Sequence, residues 1–236
     1  LLVIGMPFNK ILMSLGSMLG VFNLLLERDF NVYWNNIKKN KAFLWLFIFI
    51  GIHLLGLLWT DDYSYAFHDL QIKLPLLAVP LALVARPIEK THLYLILKIL
   101  LVTLTFSSII NFGSYFNWFG DKVYLDIREM SLFGSHIRYG ILVGLGVGIC
   151  IHLIEQTKKY QVLLVLLIIW FSIYTFYSQV ISGGITLLIV FIFYLFKWSW
   201  NKNRVLTYSL AGVFSILFIS LIGFFRPQSS ILLDPD

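Results

Sequence analysis

Long apolar runs separated by short polar segments make up most of this 236-residue chain. A helix needs about 20 apolar residues to cross the hydrocarbon core of a bilayer, so such runs predict transmembrane helices. One apolar run, residues 74–85, is short for a transmembrane span and contains Pro75 and Pro80. That span is expected either to begin earlier, within residues 66–73, or to be kinked. The predicted fold is an all-α, polytopic transmembrane helix bundle of about eight spans. They cover residues 11–26, 42–58, 74–85, 91–111, 137–154, 160–181, 185–198 and 205–225.

The ends of the chain suggest a piece of a larger bundle. Residue 1 is Leu, and residues 1–7 read as the end of an earlier helix. Residues 226–236 follow the last predicted span, and the chain stops there. The sequence contains no repeat, low-complexity tract or flexible linker, so we expect residues 1–236 to form a single membrane domain that is incomplete at both ends.

Composition agrees with a membrane protein and narrows the possible chemistry. The chain is 59% hydrophobic and only 13% charged, whereas a soluble domain has about 25% charged residues. Its formal net charge of +6 does not indicate a nucleic-acid partner, because the basic residues occupy loops rather than one contiguous face. Cys150 is the single cysteine, which excludes a disulfide framework or a cysteine cluster for a metal. We expect no metal and no cofactor.

The segments between the spans alternate in charge. Those at residues 27–41, 86–92, 155–161 and 197–204 are basic. Those at residues 59–73, 113–138 and 179–184 are acidic, mixed or neutral. The positive-inside rule assigns the basic segments to the cytoplasm and the others to the periplasmic side of the inner membrane. Membrane lipids are therefore the expected surroundings of the chain.

One outer segment carries the best candidate chemistry. Residues 131–140, SLFGSHIRYG, bring Ser135, His136 and Arg138 to the outer mouth of a helix. Arginine suits a phosphate because its planar fork donates two parallel hydrogen bonds. The residue types alone leave an equal alternative, in which Arg138 snorkels to the interface and His136 is a solvated loop residue.

The helix that follows carries a stripe of small residues. Gly140, Gly144 and Gly148 recur every four residues, and Gly146 lies between them. Such a stripe lets another helix approach closely. We expect Gly144 to be buried against a neighbouring span.

Two further features admit a functional and a structural interpretation. The carboxylates Asp61, Asp62 and Asp69 in residues 60–73 could bind a sugar or a cation, but a solvated turn followed by an interfacial helix is favoured. His53 lies within a span, where a histidine can relay protons. Because no second titratable residue accompanies it in its helix, a structural hydrogen bond is favoured.

Three segments occur in an order that points to a family. They are GMPFNKILMSLG at residues 5–16, GLLWTDDYSYAFHDLQIKLPLLAVPLAL at 56–83 and FGSHIRYGILVGLGVGI at 133–149. Together they resemble the N-terminal half of the O-antigen ligase and O-antigen polymerase family, most of all its Bacteroidetes-type members. The resemblance implies a multi-pass glycosyltransferase of lipopolysaccharide biosynthesis. Such an enzyme moves a glycan from undecaprenyl diphosphate to lipid A core or another glycan acceptor, with inversion and without a metal.

The resemblance also implies residue roles. Arg138, with His136 and Ser135, would bind the substrate, whereas the general base would be a histidine in a large periplasmic loop beyond residue 226. The present chain alone is therefore expected to be inactive. Members commonly carry a Ser-Arg-type motif near residues 180–184, but this chain reads Val-Ile-Ser-Gly-Gly there. That departure fits one alternative, a non-catalytic membrane protein such as a decayed ligase paralogue. A second alternative is a secondary transporter, which would also be polytopic with a kinked span and a histidine within the membrane.

The charge alternation predicts the topology of the chain. Residues 27–41, 86–92, 155–161 and 197–204 should be cytoplasmic, and residues 59–73 and 113–136 should be periplasmic. Cysteines substituted for Asn36 and Asn117 should therefore react with an impermeant thiol reagent from opposite sides of the membrane. Equal labelling of both positions from outside would contradict this topology.

Overall fold

The structure of the protein is a computed structural model that describes residues 1–119, 124, 126–202 and 204, without the side chains of residues 42 and 44. Every regular element within these residues is a helix. The chain divides into two compact units, Leu1–Gly184 and Ile185–Asp236. Predicted span 205–225 lies outside the described residues, so the single membrane domain stays a prediction.

Nine α-helices occur in the described part of the chain. They are α1 (Leu2–Phe8), α2 (Lys10–Glu27), α3 (Phe30–Lys39), α4 (Lys41–Gly56), α5 (Tyr63–Ala85), α6 (Lys90–Tyr115), α7 (His136–Gln156), α8 (Gln161–Tyr177) and α9 (Ile181–Lys202). Among the described helices, five are long and apolar enough to cross a membrane, namely α2, α5, α6, α7 and α9. Helix α8 and the stretch Trp45–Trp59 are apolar but shorter. This is the architecture expected of a helical membrane protein.

Helix α5 begins well before the apolar run that predicted it. It starts at Tyr63, where the side chain of Asp62 accepts a hydrogen bond from the Tyr65 amide at 2.9 Å, and it continues through Pro75 and Pro80. The expectation of an earlier start is thus confirmed, although the start precedes the predicted range. Most of the predicted outer segment 59–73 is helical, as the favoured interpretation of a turn followed by a helix expects. A side-chain cap can begin a helix inside a polar segment that hydropathy alone assigns to a loop.

Helix α3 was not predicted, because it lies inside the basic segment 27–41. It is amphipathic, with Tyr33 and Ile37 buried one turn apart and most other side chains exposed. The Asn36 amide donates to the Ala85 carbonyl at 2.9 Å, which ties α3 to the end of α5. For the topology measurement, the exposed Asn35 is therefore a better labelling position than Asn36.

The ends of α2, α3 and α5 meet around one carboxylate. Glu27 accepts hydrogen bonds from the Asn23 amide and the Tyr33 hydroxyl, each at 2.9 Å. It also forms an ion pair with Arg86, the residue that follows α5. The apolar side chains of Leu24, Tyr33 and Ala85 pack together beside it. This corner fixes the position of α3 on the bundle.

Helices α6, α7 and α8 form the best-packed part of the first unit. Gly140, Gly144 and Gly146 are buried, which confirms the predicted burial of Gly144. A Cβ atom added at Gly146 would lie 3.1 Å from Cε2 of Phe171 in α8 and 3.4 Å from Cδ1 of Leu104 in α6. The stripe of small residues therefore faces other helices, as its spacing indicates.

Gly140 makes a close contact that provides a test of the stripe. An added Cβ would lie 2.5 Å from Cγ1 of Val180 and 3.4 Å from the Gly183 α-carbon. We expect Gly140→Ala to lower the free energy of unfolding by about 1–3 kcal/mol, because an overpacked contact must be relieved by backbone movement. Thermal or denaturant unfolding in detergent micelles measures the change.

Gly51 in α4 is the matched control. A Cβ built there meets no described atom within 4 Å. Gly51→Ala should stabilise the protein by about 0.5–1 kcal/mol through helix propensity. Equal effects of the two substitutions would contradict the close packing at Gly140.

Candidate functional site

The first turn of α7 lies against the segment that joins α8 to α9. Ser182 donates its hydroxyl hydrogen to the Ile137 carbonyl at 3.0 Å. Gly140 and Gly183 approach closely enough that a Cβ at Gly183 would lie 3.2 Å from the Gly140 carbonyl oxygen. The structure thus brings together the Arg138 segment and the 180–184 segment, which the sequence presents as separate features. Because α8 runs back along α7, α7 and α9 both begin at this point.

His136 holds this arrangement in place. Its Nδ1 atom lies 3.1 Å from the Ser131 hydroxyl, and its Nε2 atom lies 3.1 Å from the Ser178 carbonyl oxygen. A carbonyl only accepts, so Nε2 carries the hydrogen; when the ring is neutral, Nδ1 accepts from the Ser131 hydroxyl. Both ring nitrogens are thereby engaged by the protein. His136 connects the segment before α7 to the end of α8.

Arg138 and Ser135 are placed differently from His136. Both are exposed, and neither side chain forms a hydrogen bond or ion pair with a described residue. Arg138 lies on the side of α7 away from the buried glycines, the side on which Ile141 and Leu145 are 38% and 48% exposed. The three predicted site residues are therefore close in sequence but differ in role. Arg138 and Ser135 present free polar groups, whereas His136 makes contacts that position the segment.

The electrostatics of this position favour an anion. The first backbone N–H groups of a helix have no partner within the helix, and they carry the positive end of its dipole. Two such ends meet here, those of α7 and α9. A cation in the first turn of a helix opposes the dipole, so helix stability gives no reason for Arg138. The guanidinium and the two helix ends together suit a negatively charged group.

A buried polar network, which was not predicted from the sequence, lies beside the site. Asn111 at the end of the predicted span accepts from the Leu132 amide at 3.3 Å and donates to the Tyr174 hydroxyl at 3.5 Å. The hydroxyl groups of Tyr139 and Ser107 lie 2.7 Å apart. Polar residues inside a span usually face the bundle interior and carry a role. The sequence signal for this network is the occurrence of three polar residues within one apolar run, Ser107, Ser108 and Asn111.

Three of the remaining candidates have structural explanations. Asp62 caps α5, and Asp69 forms an ion pair with Lys73 one turn along the same helix. His53 donates from Nδ1 to the Phe49 carbonyl at 2.8 Å, which confirms the favoured structural hydrogen bond. In the described ranges, no group of three His, Cys, Asp or Glu residues is placed to hold a metal ion.

Asn111 tests whether the network stabilises the bundle. Asn111→Ala would leave the Leu132 amide and the Tyr174 hydroxyl without this partner, so we expect a loss of about 1–3 kcal/mol in the free energy of unfolding. Asn31→Ala on the exposed side of α3 should change it by less than about 0.5 kcal/mol. Unfolding of both variants in the same detergent measures the difference. Equal stability of the two variants would show that the network contributes nothing.

Comparison with known proteins finds no family model that matches this chain, no similar protein among curated sequences and no similar solved structure.

Proposed function

We propose that this chain is part of a membrane glycan ligase or polymerase that acts on undecaprenyl-diphosphate-linked glycan. Two lines of argument support the proposal. One is the ordered resemblance of residues 5–16, 56–83 and 133–149 to the O-antigen ligase and polymerase family. The other is a single structural observation, an exposed arginine without a described partner beside the starts of two helices.

The proposed topology follows from the charges of the connecting segments. The chain crosses the inner membrane about eight times, as the number of apolar runs suggests, and the basic segments face the cytoplasm. The starts of α7 and α9 then face the periplasm. A lipid-linked glycan would present its diphosphate at this level, where the lipid chain enters the membrane.

The proposed chemistry is a direct displacement. A hydroxyl of the acceptor glycan attacks the anomeric carbon of the donor sugar, the bond from that carbon to the diphosphate oxygen breaks, and undecaprenyl diphosphate leaves. The configuration at the anomeric carbon inverts. The acceptor proton passes to a general base, which the resemblance implies to be a histidine beyond residue 226.

The leaving diphosphate needs fixed positive groups, because its negative charge grows in the transition state. Arg138 can donate two parallel hydrogen bonds to one phosphate. The Ser135 hydroxyl and the free N–H groups at the start of α7 can donate to the same group. His136 supports them indirectly, since its bonds to Ser131 and Ser178 hold the segment against α8.

The proposal predicts the effect of changing Arg138. Arg138→Ala should lower glycan transfer about 100-fold, the cost typical of removing one oriented donor from a transition state. Arg138→Lys keeps the charge but loses the planar guanidinium, so its activity should lie between that of Arg138→Ala and that of the native protein. The assay follows transfer from undecaprenyl-diphosphate-linked glycan by the complete gene product in membranes, with the protein level measured alongside.

Arg128 offers a matched control. It is also exposed, belongs to the same predicted outer segment, and lies beside Asp126 at 3.9 Å. Arg128→Ala should retain native activity. Native activity of Arg138→Ala would refute the role of Arg138, whereas absence of transfer by the native protein would refute the enzyme itself and favour a transporter or a non-catalytic protein.

A further inference from the structure

Helix α3 carries an exposed ridge of aromatic and basic side chains. Phe30, Trp34 and Lys38 are spaced four residues apart, so they lie along one side of the helix. Phe30 is 56% exposed and Trp34 is 57% exposed, although each borders the buried face of Tyr33 and Ile37. The Lys38 ammonium lies 5.1 Å from the centroid of the Trp34 ring.

The ridge borders an apolar groove. Phe30, Trp34 and Ile37 line one wall of the groove, and Leu25 of α2 and Leu81 of α5 line the other. Its volume is about 440 Å³, within the range of about 300–1,000 Å³ typical of small-molecule sites. Because α2 and α5 are long and apolar enough to cross a membrane, the groove opens beside the ends of two candidate spans.

The lysines at the C-terminal end of α3 have no carboxylate partner among the described residues. Lys38, Lys39 and Lys41 are all exposed, and no carboxylate among the described residues forms an ion pair with any of them. The acidic residues of this region are engaged or lie elsewhere. Glu27 is paired with Arg86, and Asp29 is at the opposite end of α3. Three unpaired cations within one turn therefore create a local positive potential beside the groove.

The combination of an apolar groove and three neighbouring lysines matches one kind of ligand. An amphipathic helix with aromatic side chains beside its apolar face and lysines in its polar part lies in the interface of a membrane. Tryptophan is enriched at the level of the headgroups, and lysine clusters beside a membrane span attract anionic lipids. An acidic protein would match the lysines but would give no reason for an apolar groove beside them.

We propose that α3 lies in the membrane interface and binds an anionic phospholipid. One acyl chain occupies the groove between α3, α2 and α5. The phosphate of the headgroup contacts Lys38, Lys39 and Lys41. Trp34 lies between the two, where its apolar ring and its N–H group both find suitable surroundings. This site is separate from the start of α7 and does not depend on the proposed glycan chemistry.

The test measures which lipids the purified protein retains. The protein in detergent is mixed with equal amounts of phosphatidylglycerol and phosphatidylcholine, and the bound lipids are counted by native mass spectrometry. The native protein should retain phosphatidylglycerol preferentially. Each lysine near an anionic surface contributes roughly a fivefold gain in affinity, so K38Q/K39Q should bind phosphatidylglycerol about 25-fold more weakly.

Lys158 and Lys159 give a control with the same change of charge. They form another exposed basic pair, in the connection between α7 and α8 that is predicted to lie on the same side of the membrane. K158Q/K159Q should retain phosphatidylglycerol as the native protein does. Trp34→Gln should weaken retention of both lipids, since it removes the aromatic wall of the groove without changing the charge.

Three results would overturn the proposal. They are equal retention of the two lipids by the native protein, unchanged retention by K38Q/K39Q, and an equal loss in K158Q/K159Q. None of these results bears on glycan transfer. The unfolding temperature of each variant in the same detergent shows that any loss of lipid reflects the site and not the fold.

Discussion

The close approach of α7 to the segment between α8 and α9 is the contact on which the candidate site depends. Gly140 allows it, because any side chain at that position would meet Val180. At this separation Ser182 can reach the Ile137 carbonyl, and His136 can reach the Ser178 carbonyl. These bonds bring the starts of α7 and α9 together. In a lipid bilayer the hydrophobic effect does not drive helices together, so they associate through close packing. Small residues allow the helices to approach closely enough for that packing.

Hydrogen bonds inside the bundle fix the relative positions of the helices, which apolar packing alone does not. Apolar side chains can slide past one another at modest cost, whereas a buried polar group needs a partner at a definite distance. Asn111 joins α6 to both Leu132 and Tyr174, and Trp170 donates to the Ser108 hydroxyl at 2.8 Å. These bonds fix how α6 and α8 are aligned along their axes. The segment before α7 is thereby held next to the site.

The sequence predicts the helices of this chain better than it predicts their ends or their neighbours. Apolar length identifies α2, α6 and α7 almost as they are, because nothing else explains such runs. It misplaces the start of α5, which a capping aspartate determines, and it misses α3, which is too short and too polar for a hydropathy argument. Glycine spacing correctly predicts that one face of α7 is buried. It does not identify the partner, since the contact between Gly140 and Gly183 depends on how α8 turns back.

The sequence likewise predicts the candidate site only in part. Ser135, His136 and Arg138 form one motif in the sequence, and a single role for all three is the natural expectation. The fold separates them, because successive residues of a helix point about 100° apart. His136 faces α8 and is used by the protein, whereas Arg138 faces outward and has no described partner. Helical rotation, which the motif alone does not reveal, therefore decides which of the three can meet a ligand.

Arg138 is the residue whose presence the rest of the molecule explains least. Under the proposed topology, the positive-inside rule places basic residues in the other set of connecting segments, so insertion into the membrane gives no reason for it. The dipole of α7 opposes a cation in the first turn. Packing gives no reason either, because the side chain is exposed. A residue disfavoured by helix electrostatics and neutral to packing either snorkels to the membrane interface or has an anionic partner. Under the proposed function that partner is the diphosphate of the lipid-linked glycan.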